Sequence, residues 1–410
     1  MKRVLLLGIL FATLAATTAP VFAQAGHLDP AFGSGGIVSS TPLSLFEGAA
    51  LAPNGDIVVA GANGSTAVIA RYLPSGAPDP SFGTNGVLSL PAPSSFFLGE
   101  SFVLAMAVQS DGKILAAFYA FNNTSTESES VLIRLTTSGA PDTTFGTSGQ
   151  VPLSFPVPSG WSASATRILA QPDGKILVTG NITPPFRNHS APLTLLARYL
   201  TSGAPDTTFG TSGIAEVVTP VDLPTSLALV AGDEILALNA QSPIAAAQFT
   251  SAGALVSPPP GGTITATENA SITAFQSNGD YVVAETTQGP NGRLNVDATV
   301  ARFELNGTAD PTFQSPVIRF GPDGADVKNL PAGITVDSLG RVLVGAEFES
   351  ATAASGVARL NPNGSLDATF GSDGIGTLVP GFVIYAILVQ PNNRVIMVGS
   401  GGNLARYLAQ

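Results

Sequence analysis

The chain has no cysteine, only two histidines and a single tryptophan, and charged residues make up 11% of its length. Without cysteine there are no disulfides, no thiolate metal sites and no thiol-linked lipid anchor, so stability has to come from burial and hydrogen bonding. His27 and His189 cannot assemble a multi-histidine metal site within one chain, and neither a metal nor a cofactor is expected. Basic residues are scarce as well, 17 against 28 acidic ones, for a formal net charge of −11. A surface of that sign repels phosphate backbones and anionic bilayers, which excludes nucleic acid as a partner. Past the first 23 residues no stretch reaches the roughly 18 apolar residues of a spanning helix. The apolar strand cores are continuous rather than alternating, unlike those of a membrane barrel. No membrane insertion is expected.

Residues 1–23 have the order of a secretory signal: Lys2 and Arg3, an apolar run from Val4 to Leu14, then Val21-Phe22-Ala23. Polar Thr and Pro arrive after about a dozen apolar residues, too early for a membrane anchor. Cleavage after Ala23 is expected, with export to the periplasm, the cell surface or the medium. Loss of Lys2 and Arg3 leaves 15 basic residues against 28 acidic, a mature charge of −13.

What the chain does have is turns. With 45 glycines and 32 prolines it carries one hairpin seven times, as in Pro53-Asn54-Gly55-Asp56, Ser110-Asp111-Gly112-Lys113, Pro172-Asp173-Gly174-Lys175 and Ser277-Asn278-Gly279-Asp280. The other copies centre on Gly232, Gly340 and Asn393, and successive copies lie between 47 and 62 residues apart. Asp-Gly and Asn-Gly between apolar runs predict a type I′ hairpin, whose two central residues both need φ > 0. A third strand follows, ending in Ala-Arg-Tyr or a close variant, and Asp-x-x-Phe-Gly leads into a fourth.

Four short antiparallel strands in about 55 residues make one blade, so residues 24–410 are expected to form a single all-β domain, a seven-bladed β-propeller. The last segment, Leu404 to Gln410, carries the third strand of copy seven, while the mature N-terminus is expected to supply an isolated fourth strand around Asp29, Phe32 and Ile37. The N-terminal strand is therefore expected to complete the last blade and close the ring, leaving no open edge.

These motifs, clearest from Gln171 to Gly213, resemble the delta-60 repeat family of bacterial extracytoplasmic proteins, over about residues 26–410. The resemblance implies a propeller outside the cytoplasm and implies no activity. Copy four departs from the pattern, with Gln248 in place of the arginine and Leu255-Val256 near the expected aspartate.

The most regular polar feature is an arginine followed eight residues later by an aspartate: Arg71 and Asp79, Arg134 and Asp142, Arg198 and Asp206, Arg302 and Asp310, Arg359 and Asp367, with Arg406 and Asp29 across the closure. A ring of ligand-binding charges is one reading. The other is structural, each arginine bonding the turn that carries its aspartate. Copy four loses both members together, which favours the structural role. Phe32, Phe82, Phe145, Phe209, Phe313 and Phe370 are assigned to packing between blades.

Catalytic motifs are absent: there is no Gly-x-Ser-x-Gly elbow, His-Glu-x-x-His helix, Walker loop or EF-hand loop. No catalytic residue is nominated. The sequence favours a binding or interaction module, expected as a monomer, with a polysaccharide or a protein as ligand. The alternative is a carbohydrate-active enzyme, a glycosidase or lyase using carboxylates at a propeller face or in its channel.

Strand parity places the face. First-to-second and third-to-fourth turns lie at one end of each blade, second-to-third loops and crossovers at the other. The first end is uniform and the second variable, so ligand-binding candidates are sought on the variable loops: Phe96, Phe97, Trp161, Arg187, His189 and Arg293.

Overall fold

The computed structural model describes residues 24–39, 42–90, 102–121, 128–153, 155–156, 161–183, 193–217, 226–239, 244–256, 263–264, 270–288, 296–320, 328–349 and 353–409. The signal segment and five of the six loop candidates, Phe96, Phe97, Arg187, His189 and Arg293, lie outside them.

The fold is an all-β, seven-bladed propeller. Blade 1 is built from Leu45–Leu51, Ile57–Asn63, Thr66–Tyr72 and Val87–Leu90, paired antiparallel in that order. Blades 2, 3 and 4 repeat the arrangement from Phe102–Val108, Ser162–Ala170 and Ser226–Val230 onward, and blade 6 from Lys328–Val336. The first strands of successive blades touch all the way round, from Leu45–Leu51 to Ile384–Val389 and back, and so form the inner wall of the ring.

The alternation of strand side chains explains how this ring holds together. On the second strand of blade 1, Val58 and Ala60 join a cluster with Ile114 and Ala116 of blade 2, while Ile57 and Val59 join Ile396 and Val398 of blade 7. Successive residues face opposite neighbours. Both faces are therefore buried, and the strand reads as an unbroken apolar run. Among the described residues the buried apolar side chains fall into seven clusters, one at each blade boundary. Each fully buried Ile, Leu or Val there contributes about 1.5–3 kcal/mol.

Closure follows the expected route. Ile37 pairs with Ala405 and Val38 with Leu404, so the N-terminal strand is the fourth strand of blade 7. The residues before it also reach blade 6: Gly371 donates its amide to Ala25 O at 2.7 Å, and Thr377 donates to Gly26 O at 2.9 Å. Gly26 has φ +79°, and a Cβ there would lie 2.4 Å from the Gly371 nitrogen.

Two local expectations are corrected. The repeated Asn-Gly and Asp-Gly turns are not type I′. Gly55, Gly112 and Gly174 have positive φ, but Asn54, Asp111 and Asp173 do not, and Gly55 N donates to Ala52 O at 2.8 Å. The turn is type I over Ala52-Pro53-Asn54-Gly55, with the glycine as a left-handed bulge residue; Pro53 fixes φ near −65°, which suits the second position of type I and is incompatible with I′. The two-residue I′ hairpin occurs elsewhere, before the fourth strand, where Asn85 and Gly86 both have positive φ between the paired Thr84 and Val87. The second correction is in blade 5. Its fourth strand shrinks to one bridge, Ala298 with Ile318, and Val296 pairs parallel with Lys328 of blade 6. Gln314 and Val317 stand where other blades have the glycines of that tight turn, and Pro316 where blade 1 has Asn85, so the hairpin cannot form.

Candidate functional site

At the uniform-turn end the Arg-Asp pairs hold blades together. Arg198 Nε donates to Asp206 Oδ2 at 2.8 Å, its guanidinium carbon lies 4.4 Å from the centre of the Phe209 ring, and its Nη1 donates to Ser251 O of blade 4. Arg134 repeats this with Asp142, Phe145 and Thr201 O of blade 3. Arg71, with Asp79 and Phe82, reaches Thr137 O of blade 2. Arg302, with Asp310 and Phe313, reaches Pro362 O of blade 6; Arg359, with Asp367 and Phe370, reaches Ala409 O of blade 7. Arg406, with Asp29 and Phe32, returns to Pro74 O of blade 1. Each arginine thus clamps its own fourth-strand turn and the next blade. A guanidinium does this because its planar fork offers several donors at fixed angles and a face that stacks on an aromatic ring.

The aspartates are tuned to match. Burial raises the carboxyl pKa of Asp142, but hydrogen bonds from Thr144 and Lys113 and the charge of Arg134 outweigh it and hold the group well below its ordinary value. Asp79, Asp206 and Asp367 are held down in the same way. At Asp310 the Thr312 hydroxyl and amide lead, and the pKa falls to about 2. The clamp is missing at one boundary, from blade 4 to blade 5. There Gln248 donates to Glu234, and its buried Oε1 has no partner. Between blades at this end lie open clefts of about 450, 490 and 580 Å³, lined by the Asp-Gly and Asn-Gly turns and by Arg71, Arg134 and Arg302.

The other end is built differently. Trp161 precedes the first strand of blade 3 and is half-buried against the cluster shared by blades 2 and 3, so it belongs in part to the core. Two aromatic residues that sequence reasoning missed are placed here by the starts of the inner strands. Phe46 of blade 1 and Tyr385 of blade 7 stack at 5.7 Å between ring centres, with an interplanar angle of 22°, and Tyr385 is 52% exposed. Leu45 beside them is also exposed.

A repeated backbone feature underlies this. Inner strands carry a register shift between Phe46 and Gly48, Val103 and Ala105, Ala165 and Arg167, Ala270 and Ile272, Pro331 and Gly333, and Ile384 and Ala386. The skipped residues, Glu47, Leu104, Thr166, Ser271, Ala332 and Tyr385, each stand eight positions before the turn glycine or Asn393. Such bulges bend the strand and re-aim a side chain. Alignment on the turn glycine would have singled out Glu47 and Tyr385 as the residues that differ most from their counterparts. Glu47 is exposed, and its side chain makes no hydrogen bond or ion pair among the described residues. No cluster of metal-ligating side chains occurs among the described residues.

The chain is thus a β-propeller repeat protein. Residues 52–82, 109–145, 171–209 and 340–370 match a family model described as a domain of unknown function (DUF5122) beta-propeller, which supports a propeller repeat family. These are segments of blades 1, 2, 3 and 6, all of which carry the clamp. No curated protein matches. Similar solved structures include the WD40 beta propeller domain of Doa1, at 11% identity and TM-score 0.46 over 94% of this chain and 97% of that one. A gluconolactonase from Xanthomonas campestris is similar at 14% identity and TM-score 0.38, over 90% of this chain and 88% of that one.

Proposed function

We propose that this chain is an exported binding module whose ligand, a carbohydrate, docks at the variable-loop end of the ring. The observation that carries the reading is the half-exposed Tyr385 stacked on Phe46 at that end. Aromatic faces held rigid by a scaffold recognise ring-shaped ligands at low entropic cost. At the opposite end the Arg-Asp pairs are spent on the clamps between blades. The N-terminal basic, apolar and small-residue order of 1–23 supports export. Phe96, Phe97, Arg187, His189 and Arg293 are proposed to extend the same surface, by strand parity.

The test is a panel of polysaccharides incubated with the purified protein, followed by thermal shift and by release of reducing or unsaturated ends. A shift in melting without product, lost in Tyr385→Ala, is expected. Product release would establish the enzyme instead. Binding that survives Tyr385→Ala and is lost on changing Ser202 or Ala204 would move the site to the other face.

A further inference from the structure

Removal of the leader after Ala23 makes Gln24 the first residue of the exported chain. Its surroundings differ sharply from those of the residue after it. Gln24 is exposed, whereas Ala25 is 4% exposed and packs in the cluster that holds Phe370 and Tyr407. His27 N donates to Gln24 O at 3.1 Å, and Gly26 has φ +79° while Ala25 stays out of the left-handed region. Residues 24–27 therefore form a type II turn that starts on Gln24. Gly26 N donates to Leu408 O at 3.0 Å, and Ala25 O accepts from Gly371, so the turn is anchored to blades 6 and 7. The Gln24 amine and side chain take no part in this. Among the described residues neither makes a hydrogen bond.

We propose that Gln24 becomes a pyroglutamyl residue, so that a lactam caps the strand that closes the ring. The proposal rests on the export reading above and adds a modification site to it. The neutral α-amine attacks the side-chain amide carbon: the N–Cδ bond forms, the Cδ–Nε2 bond breaks, and Nε2 leaves as ammonia with the proton that the amine gives up. No co-reactant is consumed. Both groups sit on one residue and close a five-membered ring, which gives the attack a high effective concentration. An α-amino pKa of about 7.7–8.0 leaves part of the amine neutral at about pH 7.5. Exposure lets the side chain fold back on its own amine, and the Gln24 carbonyl that holds the turn is untouched.

The consequence is particular to this closure. An aminopeptidase that removed Gln24 would take away the acceptor of His27 N and place a charged amine on Ala25, against a buried apolar cluster. The lactam is neutral and offers no free amine to such an enzyme.

The test expresses the full chain, leader included, in a secreting bacterial host and purifies the mature protein at about pH 5, where the amine is protonated and does not react during handling. Intact mass and N-terminal peptide sequencing by tandem mass spectrometry are then read. The expected product spans residues 24–410 and is one ammonia lighter than the unmodified chain. Gln24→Asn, which would need a strained four-membered ring, is expected to keep its free amine and to lose its first residue to a broad-specificity aminopeptidase that leaves the wild type intact. A mature chain with an unmodified Gln24 overturns the modification and leaves export standing. A product that retains residues 1–23, or begins at another residue, overturns it together with cleavage after Ala23. Equal trimming of Gln24→Asn and wild type overturns the capping role.

Discussion

Arg198 stacks its guanidinium on Phe209 at 4.4 Å while donating to Asp206 within its own blade and to Ser251 O in the next. One side chain therefore fixes a turn and a blade boundary together. Arg198→Ala removes the guanidinium from buried Asp206, which keeps its bonds from Thr208 and a 3.7 Å contact with Lys175, and is expected to destabilise by about 3 kcal/mol, read as a fall in denaturant midpoint. Arg198→Lys recovers little of this, because an ammonium cannot reproduce the fork or the stack. Ligand affinity of the still-folded fraction should be unchanged; its loss at full stability would show that the clamp is a binding group.

Ring closure depends on a short segment. Deleting residues 24–38 removes the fourth strand of blade 7 and the amide bonds from Gly371 and Thr377, and aggregation on size exclusion is expected. Gly26→Ala is the milder probe. Its Cβ meets backbone of Gly371, so melting should drop without loss of expression. An unchanged melting temperature in the deletion would refute closure.

Ser148 and Ser212 have φ of +53° and +55° in the tight turn where blade 1 has Asn85. Asparagine tolerates this region better than serine. Ser148→Asn and Ser212→Asn should each stabilise by about 0.5 kcal/mol, part of the roughly 1–2 kcal/mol that the left-handed region costs an ordinary residue. Additive increments in the double variant, measured by urea unfolding, are the expected result, since the two turns belong to different blades.

At the boundary without a clamp, Tyr281 is fully buried, stacks on Phe303 at 5.5 Å and has no hydrogen-bond partner for its hydroxyl. Burial pushes its phenol pKa well up. Tyr281→Phe keeps the packing and removes the orphan group, and should hold or raise stability by about 1 kcal/mol. Hydrogen exchange should be fastest among the buried strands of blades 4 and 5, whose shared cluster is the smallest among the described residues and lacks the arginine. Fastest exchange at a clamped boundary would contradict this.

Asp310 falls from an ordinary 3.8 to about 2, chiefly through Thr312, whose hydroxyl donates at 2.7 Å. A depressed carboxylate contributes stability that is complete above 3.8 and is lost as pH falls toward about 2. Thr312→Val should therefore melt below the wild type at pH 5, and the gap should narrow between pH 4 and 2. A gap independent of pH would mean that Thr312 acts through packing alone.

Much of this was legible before the fold was known. The hairpin recurs because each blade must reverse its chain at the same points, and the arginine and aspartate stand eight apart because one turn separates them. Both signals are local. Asn-Gly and Asp-Gly fit two hairpins, and the preceding Pro53 and Pro172 carry the deciding information. Blade 5 reads as complete from Asp310 and Phe313, although the glycines that would turn the chain into a fourth strand are missing.

The sequence by itself determined the strand content, the seven-fold count, the direction of closure and the pairing of Arg with Asp, since all of these follow from local periodicity and turn chemistry repeated along the chain. Only the tertiary structure decided which carbonyl of the next blade each arginine reaches, and that Phe46 stacks on Tyr385. Residues more than 330 positions apart become neighbours when the first and last blades close on one another. No periodicity within either segment encodes that contact; it exists because the blades pack in sequence until the last meets the first.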